Sequence, residues 1–378
     1  MVGRLRAWSF RRQRLDAVTA ATDPAAALRD VVAVYSSHPT APLALQARCR
    51  GFDAEHLGAL EGHREAIRLP AMRGSIFLVP TETAPRVVAA TRLPIGRHAA
   101  TLRAAGFDAA GYERLKARVL DRVREPMTPP AARQAVAMDG EVTVGLRIMA
   151  REGLVLRVGG SLRADNPRYV ATEAWLGRPL ADADPEAALA WLADAYLRGY
   201  GPARVADFAW WSGVPKRRAA AAIAANDAVD LGGGLLLPAD LAEAFGRVAP
   251  VDAEAVVLLP KWDAYTMGYA PDGRQRLIAD ADLGSAYTLI GKAATAGDGL
   301  PLVLRGGQAV ASWSHRFAGD RMLVRVTPFA NESVPPVVAD GAFAGVGRLL
   351  GATAIQVEVA TTPDAPGAAS GGSGDGPG

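Results

Sequence analysis

Residues 196–226 have the sequence YLRGYGPARVADFAWWSGVPKRRAAAAIAAN, and the predicted class of fold depends on this stretch. It contains two short helical patterns separated by the turn at 212–215. A helix is predicted before it, from Glu186 to Arg198, and residues 227–238 (DAVDLGGGLLLP) predict a hairpin. Three helices with a short glycine-containing turn and a following hairpin are typical of a winged helix–turn–helix module. The same order also occurs in helical packing units that bind no ligand.

Toward the N-terminus, helices followed by a strand pair recur twice. The first strand pair is predicted where EAIRLPAMRGSIFLVP turns at Met72-Arg73-Gly74, and the second within LVLRVGGSLRADNPRYVAT, residues 154–172. We therefore expect tandem winged helix–turn–helix modules over residues 1–105, 106–180 and 181–250.

Beyond residue 250 the pattern changes to strands. PLVLRGGQAVASWSHR (residues 301–316) has two apolar runs joined at Gly306-Gly307, which predicts a two-residue hairpin turn. We expect an α+β protein whose residues 251–361 form a β-rich antiparallel C-terminal domain. Residues 362–378 are rich in Gly, Ser, Pro and Asp, so a disordered tail is expected.

Composition excludes several classes of protein. The 378 residues are half apolar and carry 42 basic and 39 acidic side chains, a net charge of +3 that neither requires nor excludes a nucleic-acid partner. The single cysteine, Cys49, excludes an intrachain disulfide framework. There is no apolar run long enough to cross a membrane and no signal-peptide pattern, so we expect a cytoplasmic protein without a membrane partner.

Common enzyme signatures are also missing. The sequence has no HExxH, P-loop or GxSxG motif, and its five histidines show no metal-ligand spacing. GVGRLLG, starting at Gly345, follows no predicted strand and is interpreted as a packing helix. We therefore expect neither a metal nor a cofactor.

Three stretches are more specific: PLALQARCRGF (42–52) with AMRGSIFLVPTETAPRVVAATR (71–92), YLRGYGPARVADFAWWSGVP (196–215), and LLPKWDAYTMGYAPDGR (258–274). In this order they resemble the winged-helix DNA-binding family that includes the AlkZ/YcaQ-type crosslink-repair DNA glycosylases. The resemblance extends from about Leu15 to about Phe329. It implies tandem winged helices, a β-rich C-terminal domain, and excision of alkylated or crosslinked purines from double-stranded DNA.

The resemblance also implies a catalytic pair, Gln-x-Gln or Gln-x-Asp, and here the pair is altered. Gln46 matches the first position, whereas Arg48 stands at the second. A glutamine or a carboxylate can accept a hydrogen bond from the attacking water, but a guanidinium has donors only. Its fixed positive charge also opposes a cationic transition state. Arg48 is better suited to a DNA phosphate, and replacing it by glutamine is expected to raise excision.

Another acceptor could replace the missing one. Asp263 in the WDAY motif is the candidate we place beside Gln46 in the catalytic site, although capping a turn explains it equally well. Asp53 is a second acceptor near in sequence. Tyr265 and Tyr269 could stack on bases, but packing in the β domain is the preferred interpretation.

Candidate DNA contacts are basic residues at turns and helix starts. Lys216, Arg217 and Arg218 open the second helix of the 196–226 stretch, where a recognition helix meets phosphates or base edges. Arg73 lies at a predicted hairpin turn, and Arg48 completes the set.

Two functional hypotheses remain open at this point. The protein is either a cofactor-free monofunctional DNA glycosylase or a non-catalytic winged-helix protein that binds DNA, for example as a regulator. The altered pair favours the second hypothesis without deciding it. A protein-interaction scaffold is a more distant third.

Overall fold

The computed structural model describes residues 1–36, 39–159, 162–164, 166–287, 298–330 and 332–360. The tail expected at residues 362–378 lies outside these ranges. The described helices are α1 (Val2–Arg12), α2 (Pro24–Asp30), α3 (Thr40–Gln46), α4 (Ala54–Gly62), α5 (Ala84–Thr91), α6 (Ala99–Ala104), α7 (Ala109–Arg122), α8 (Pro129–Val136), α9 (Val142–Arg151), α10 (Thr172–Leu176), α11 (Pro185–Tyr200), α12 (Val205–Ser212), α13 (Lys216–Ala224), α14 (Ala242–Gly246), α15 (Ala264–Met267), α16 (Leu283–Ala286), α17 (Pro336–Asp340) and α18 (Ala344–Leu349).

The described strands form three sheets. They are β1 (Val34–Tyr35), β2 (Ala66–Pro70), β3 (Ile76–Pro80), β4 (Val155–Val158), β5 (Arg168–Ala171), β6 (Ala228–Asp230), β7 (Leu236–Pro238), β8 (Val256–Leu259), β9 (Leu302–Arg305), β10 (Gln308–Ala318), β11 (Arg321–Pro328) and β12 (Ala354–Val359). Short 3-10 turns lie at Met72–Gly74, Ile95–His98, Ala239–Leu241, Pro271–Arg276 and Asp280–Asp282.

Local capping starts several of the helices where the sequence has a short polar residue. The side chains of Asp23, Asp53, Asp108, Thr128 and Asp184 accept hydrogen bonds from backbone N–H groups in the first turns of α2, α4, α7, α8 and α11. Such caps satisfy donors that have no partner inside the helix.

The first sheet joins strands that are distant in sequence. Its order is β1-β3-β2-β4-β5, and all its pairings are antiparallel. The two halves meet where Arg68 of β2 pairs with Arg157 of β4. The hairpins expected in two separate modules, 1–105 and 106–180, therefore belong to one sheet, and a boundary at residue 105 divides that sheet. These domain limits stay a prediction.

Residues 196–226 fold as helices in the expected order. α11, α12 and α13 pack together, and the small β6–β7 hairpin follows them. α12 ends at Ser212, the residue that caps it, Gly213, has a left-handed backbone, and α13 begins at Lys216. The order of three helices and a hairpin agrees with the sequence expectation. Its assignment as a winged helix–turn–helix module stays a prediction.

Helix α1 packs against segments that are distant from it in sequence. It contacts α11 and the 3-10 turn at Pro271–Arg276. Arg6 Nε donates to the carbonyl of Arg276 at 2.9 Å, and Arg12 Nε donates to the carbonyl of Arg198 at 2.7 Å. These N-terminal arginines therefore hold distant segments of the fold together.

The C-terminal sheet has the order β12-β11-β10-β9-β8. β8 to β11 are antiparallel neighbours, as expected, but β12 pairs with β11 in parallel, so the expectation of a wholly antiparallel domain is corrected. Gly306 and Gly307 form the predicted turn between β9 and β10, and both have positive φ. That backbone suits a two-residue hairpin and favours glycine. The chain is a mixed α+β protein. Within the described residues, no helix is long and apolar enough to cross a membrane.

Candidate active site

Gln46 is the last residue of α3 and is half-buried. Its Nε2 donates a hydrogen bond of 2.8 Å to the backbone carbonyl of Gly345 in α18, which is 299 residues away in sequence. A carbonyl oxygen only accepts, so this bond fixes the amide with its nitrogen toward Gly345. Among the described residues, no side chain or backbone group donates to Oε1. Gln46 thus keeps a free, oriented acceptor.

A cavity of about 460 Å³ lies beside Gln46. Its walls come from the end of α3 and the residues after it, from β8, and from the α17–α18 region. Most lining side chains are apolar, for example Phe52 and Val257, and Arg348 is the charged one. This volume is in the range of small-molecule sites in proteins, which are largely apolar with a few placed polar groups.

Arg48 follows Gln46 by two residues but points into the protein interior, where its side chain is fully buried. Its Nη1 and Nη2 each donate to one carboxylate oxygen of Asp263, both at 2.8 Å. Nη1 also donates to the carbonyl of Ala44 at 2.9 Å, and Nη2 donates to Gln13 Oε1 at 3.2 Å. Burial opposes the charge, yet the Asp263 carboxylate outweighs it and raises the pKa of Arg48.

This location corrects the expectation that Arg48 contacts a DNA phosphate, because a fully buried guanidinium that is paired with a carboxylate cannot reach one. The two positions differ because residues two apart in a helical turn are rotated by about 200° around its axis. Sequence reasoning placed both at one site. The structure places Gln46 at a cavity and Arg48 in the core.

The expectation that Asp263 serves catalysis with Gln46 is corrected in the same way. Asp263 is fully buried, and besides binding Arg48 its Oδ1 accepts from the backbone N–H of Tyr265 at 2.8 Å, at the start of α15. Tyr265 and Tyr269 are also completely buried, which agrees with the packing interpretation. Asp53 caps α4 and contacts His56 at 2.7 Å, outside the cavity wall.

Cys49 lies in the cavity wall but is almost completely buried. Burial raises the pKa of its thiol to about 12, despite the opposite effect of the neighbouring Arg48 charge. The thiol is therefore protonated at neutral pH, as is typical of a buried structural cysteine.

The candidate DNA contacts other than Arg48 are exposed. Lys216, Arg217 and Arg218 form the first turn of α13, and Arg218 pairs with Glu186 at 2.7 Å. Arg73 has a positive φ at the β2–β3 turn, and its guanidinium lies 4.2 Å from the ring centre of Trp210.

Sequence reasoning missed Gly345 and Arg348, which belong to the segment interpreted as a packing helix. That interpretation is correct for the backbone, since α18 covers them, but the helix also completes the cavity. No local pattern could have indicated this, because their partner Gln46 is about 300 residues away along the chain.

Comparison with known proteins identifies the family. The family model of the AlkZ-like DNA glycosylases matches residues 28–360 of this chain. Among solved structures, the DNA glycosylase AlkZ of Streptomyces sahachiroi has a similar fold, with a TM-score of 0.74 and 20% sequence identity over 95% of this chain and 99% of that one. No curated protein sequence gives a significant match. Because the family model covers most of the residues that form the sheets and the Gln46 cavity, the chain belongs to the AlkZ-like DNA glycosylase family.

Proposed function

We propose that this protein is a monofunctional DNA glycosylase that removes alkylated or crosslinked purines from double-stranded DNA, and that Gln46 is its catalytic residue. The observation that carries the proposal is the amide of Gln46. Its nitrogen is held by the Gly345 carbonyl, and its oxygen remains a free acceptor beside a cavity of about 460 Å³. Family membership supports the reaction class.

The chemistry needs little beyond such an acceptor. An N7-alkylated purine is positively charged and leaves as a neutral base when the C1′–N9 bond breaks and its electron pair moves to the base. The sugar is then an oxocarbenium ion, and the oxygen of a water molecule forms the new bond to C1′. Gln46 Oε1 accepts a hydrogen bond from that water and orients it, while the released proton passes to solvent.

The cavity must receive a base that has left the DNA stack. Enzymes that act on a base usually extrude it into a pocket and stack it against apolar side chains. Phe52 and Val257 provide such surfaces. Arg348 is exposed at the wall and is suited to a phosphate near the extruded nucleotide.

The rest of the duplex is proposed to lie across the helix-and-hairpin units, acting as tandem winged helices. Lys216, Arg217, Arg218 and Arg73 are proposed to contact its phosphates, since all four are exposed. Repair of DNA is in keeping with the predicted cytoplasmic location.

The alternative is a family member that binds DNA without cleaving it. One observation favours it: position 48 supplies no second acceptor, because Arg48 is buried against Asp263. In that case the Gln46 cavity would hold a base without hydrolysis.

The test uses duplex DNA that carries N7-methylguanine or a defined interstrand crosslink, scored for abasic sites. We expect the native protein to form them, and Gln46→Ala to slow excision by about 10²–10³-fold, the usual effect of removing one preorganised group. Gln134→Ala, which removes an exposed glutamine of α8, is the matched control and should be unaffected.

Two results would contradict the proposal. Equal excision by native protein and Gln46→Ala would remove Gln46 from the mechanism. Tight DNA binding by a native protein that is inert on every alkylated duplex would leave the non-catalytic alternative.

A further inference from the structure

A second cavity, of about 280 Å³, lies where four parts of the chain meet. These are the β2–β3 turn, the segment that follows α5, the end of α9, and the α12–α13 turn. It shares no lining residue with the Gln46 cavity. Among the residues that the structure describes, its lining has no acidic side chain but includes Arg73, Arg92, Arg151 and His98.

No carboxylate in the described part of the chain forms an ion pair with Arg73, Arg92 or Arg151. Within the described parts of the chain, the side chains of Arg92 and Arg151 have neither a hydrogen bond nor an ion pair. Arg73 donates only to the hydroxyl of Tyr35, at 3.3 Å, and packs on the ring of Trp210. Guanidinium groups held near one another repel, and an anion between them removes that repulsion.

His98 adds a neutral donor to the same wall. It is nearly buried, and burial, together with the charge of Arg151, lowers the pKa of its imidazole. The ring is therefore neutral at pH 7 and carries one N–H donor. The charge of Glu152 opposes this shift by raising the pKa of His98. The Glu152 carboxylate also accepts a hydrogen bond from the hydroxyl of Tyr112.

The backbone brings these groups together by a close approach. Gly213 in the α12–α13 turn has a φ of +79°, and a Cβ at this position would lie 3.1 Å from Arg73 Cα and 3.0 Å from Arg73 Cγ. Only a residue without a side chain allows the two turns to touch in this way. The exposed basic first turn of α13 starts at Lys216, three residues after Gly213 in sequence.

We infer that this cavity binds one phosphate of the DNA backbone, with Arg73, Arg92 and Arg151 as donors to its oxygens. The inference rests on the proposed function for the identity of the ligand. We take the ligand to be a phosphodiester in a duplex rather than a free anion, because exposed Lys216 and Arg217 follow the cavity-lining α12–α13 turn and can bind further phosphates. Arginine forks match phosphate oxygens and need no acidic partner.

The test measures affinity for an undamaged duplex at several salt concentrations. One neutralised phosphate contributes roughly 0.9 to the slope of log affinity against log salt, so we expect the double variant Arg92→Gln/Arg151→Gln to reduce the slope by up to about 0.9, and each single variant to reduce it by part of that amount. Loss of one such charged hydrogen bond should weaken binding about tenfold at low salt.

The control is Arg122→Gln, which also removes one exposed positive charge, at the end of α7 and away from the cavity. It should leave the slope unchanged. Because Arg92 and Arg151 are exposed, their variants should have the same melting temperature as the native protein. Thermal unfolding followed by circular dichroism checks this.

A second measurement follows the imidazole resonances of His98 by NMR, assigned with His98→Gln. We expect them to shift when the duplex is added, and to shift less in Arg151→Gln. Inorganic phosphate is tested as the alternative ligand, because a free phosphate anion offers the same oxygens as a phosphate of DNA. Saturation by phosphate with no response to DNA would overturn the inference.

The inference and the proposed function can fail separately. If the native protein binds the duplex and neither arginine variant changes the slope, the inference is wrong whatever happens to excision. If the slopes change as expected but no alkylated base is released, the phosphate site stands and only catalysis is wrong. If the native protein does not bind duplex DNA, both are wrong.

Discussion

Gln46 and Arg48 are separated by one residue and occupy opposite environments. Gln46 lies at a cavity with a free acceptor, while Arg48 is completely buried and bonded to Asp263 through both terminal nitrogens. The comparison shows that a pair defined by spacing at a helix end need not act as a pair. The direction of each side chain decides what it does.

The buried pair also connects parts of the chain that are 215 residues apart. Arg48 follows α3, and Asp263 caps the start of α15. Gln13, which follows α1, accepts a further hydrogen bond from Arg48. A buried ion pair adds little net stability compared with a well-packed apolar pair, but removing one partner leaves an unpaired charge. Arg48 is therefore expected to determine how these segments fit, and Gln46 to determine chemistry.

The largest expected effect is on stability. Arg48→Met should lower the free energy of unfolding by about 3–5 kcal/mol, because it leaves the Asp263 carboxylate buried without a cationic partner. Arg48→Gln should destabilise for the same reason, which reverses the expectation from sequence that it improves excision. Urea unfolding followed by tryptophan fluorescence measures the change.

A double variant separates the effect of the unpaired charge from the effect of altered packing. Arg48→Met combined with Asp263→Asn removes both charges and keeps the cap of α15, so it should be more stable than Arg48→Met alone. The control is Arg247→Gln, in an exposed pair with Glu243, where a change of less than about 0.5 kcal/mol is expected. If Arg48→Met behaves like this control, the buried pair does not exist.

The next effect concerns Cys49, whose sequence position lies directly after Arg48. Its pKa is raised from 9.0 to about 12, so the folded state keeps the proton that the unfolded state releases above pH 9. This contribution to stability is fully present below pH 9 and is lost as the pH rises from 9 to about 12. Between about pH 8 and about pH 10 the thiol should account for a loss of about 1.4 kcal/mol.

Unfolding of the native protein and of Cys49→Ala at both pH values measures this loss, and the difference between them cancels the buried tyrosines. We also expect the native thiol to react with iodoacetamide only when the protein unfolds. If the stability of the two proteins has the same pH dependence, or if the thiol is alkylated rapidly at neutral pH, then Cys49 is accessible to solvent, as Gln46 is.

The smallest expected effect is at Gly345, whose carbonyl accepts the hydrogen bond from Gln46. A Cβ there would lie 3.4 Å from Gln46 Nε2, an ordinary contact, and alanine favours a helix. Gly345→Ala should therefore raise the free energy of unfolding by about 0.5 kcal/mol and leave excision unchanged. Gly345→Leu should crowd Gln46 and reduce excision. A loss of excision in the alanine variant would show that the amide tolerates no displacement.

Sequence patterns predicted those elements whose causes are local. The Gly306-Gly307 turn and the helices on either side of Gly213 are correct because turn residues and helical periodicity act within a few residues. By contrast, residues 24–36 carry apolar side chains at helical spacing over their whole length, yet α2 ends at Asp30 and β1 follows. Pairing of β1 with β3 outweighs the local preference there.

The sequence by itself determined the mixed α+β class, the order of helices and hairpins, and the family resemblance carried by its three specific stretches. The sequence also singled out Gln46, because its motif is local, and its catalytic role stays a prediction. Only the tertiary structure decided that Arg48 is buried, that Gly345 holds the Gln46 amide, and that Arg92 and Arg151 meet Arg73 at one cavity. The physical reason is distance along the chain: periodicity and turn chemistry reach a few residues, whereas these contacts join side chains whose neighbours are set by the packing of whole elements.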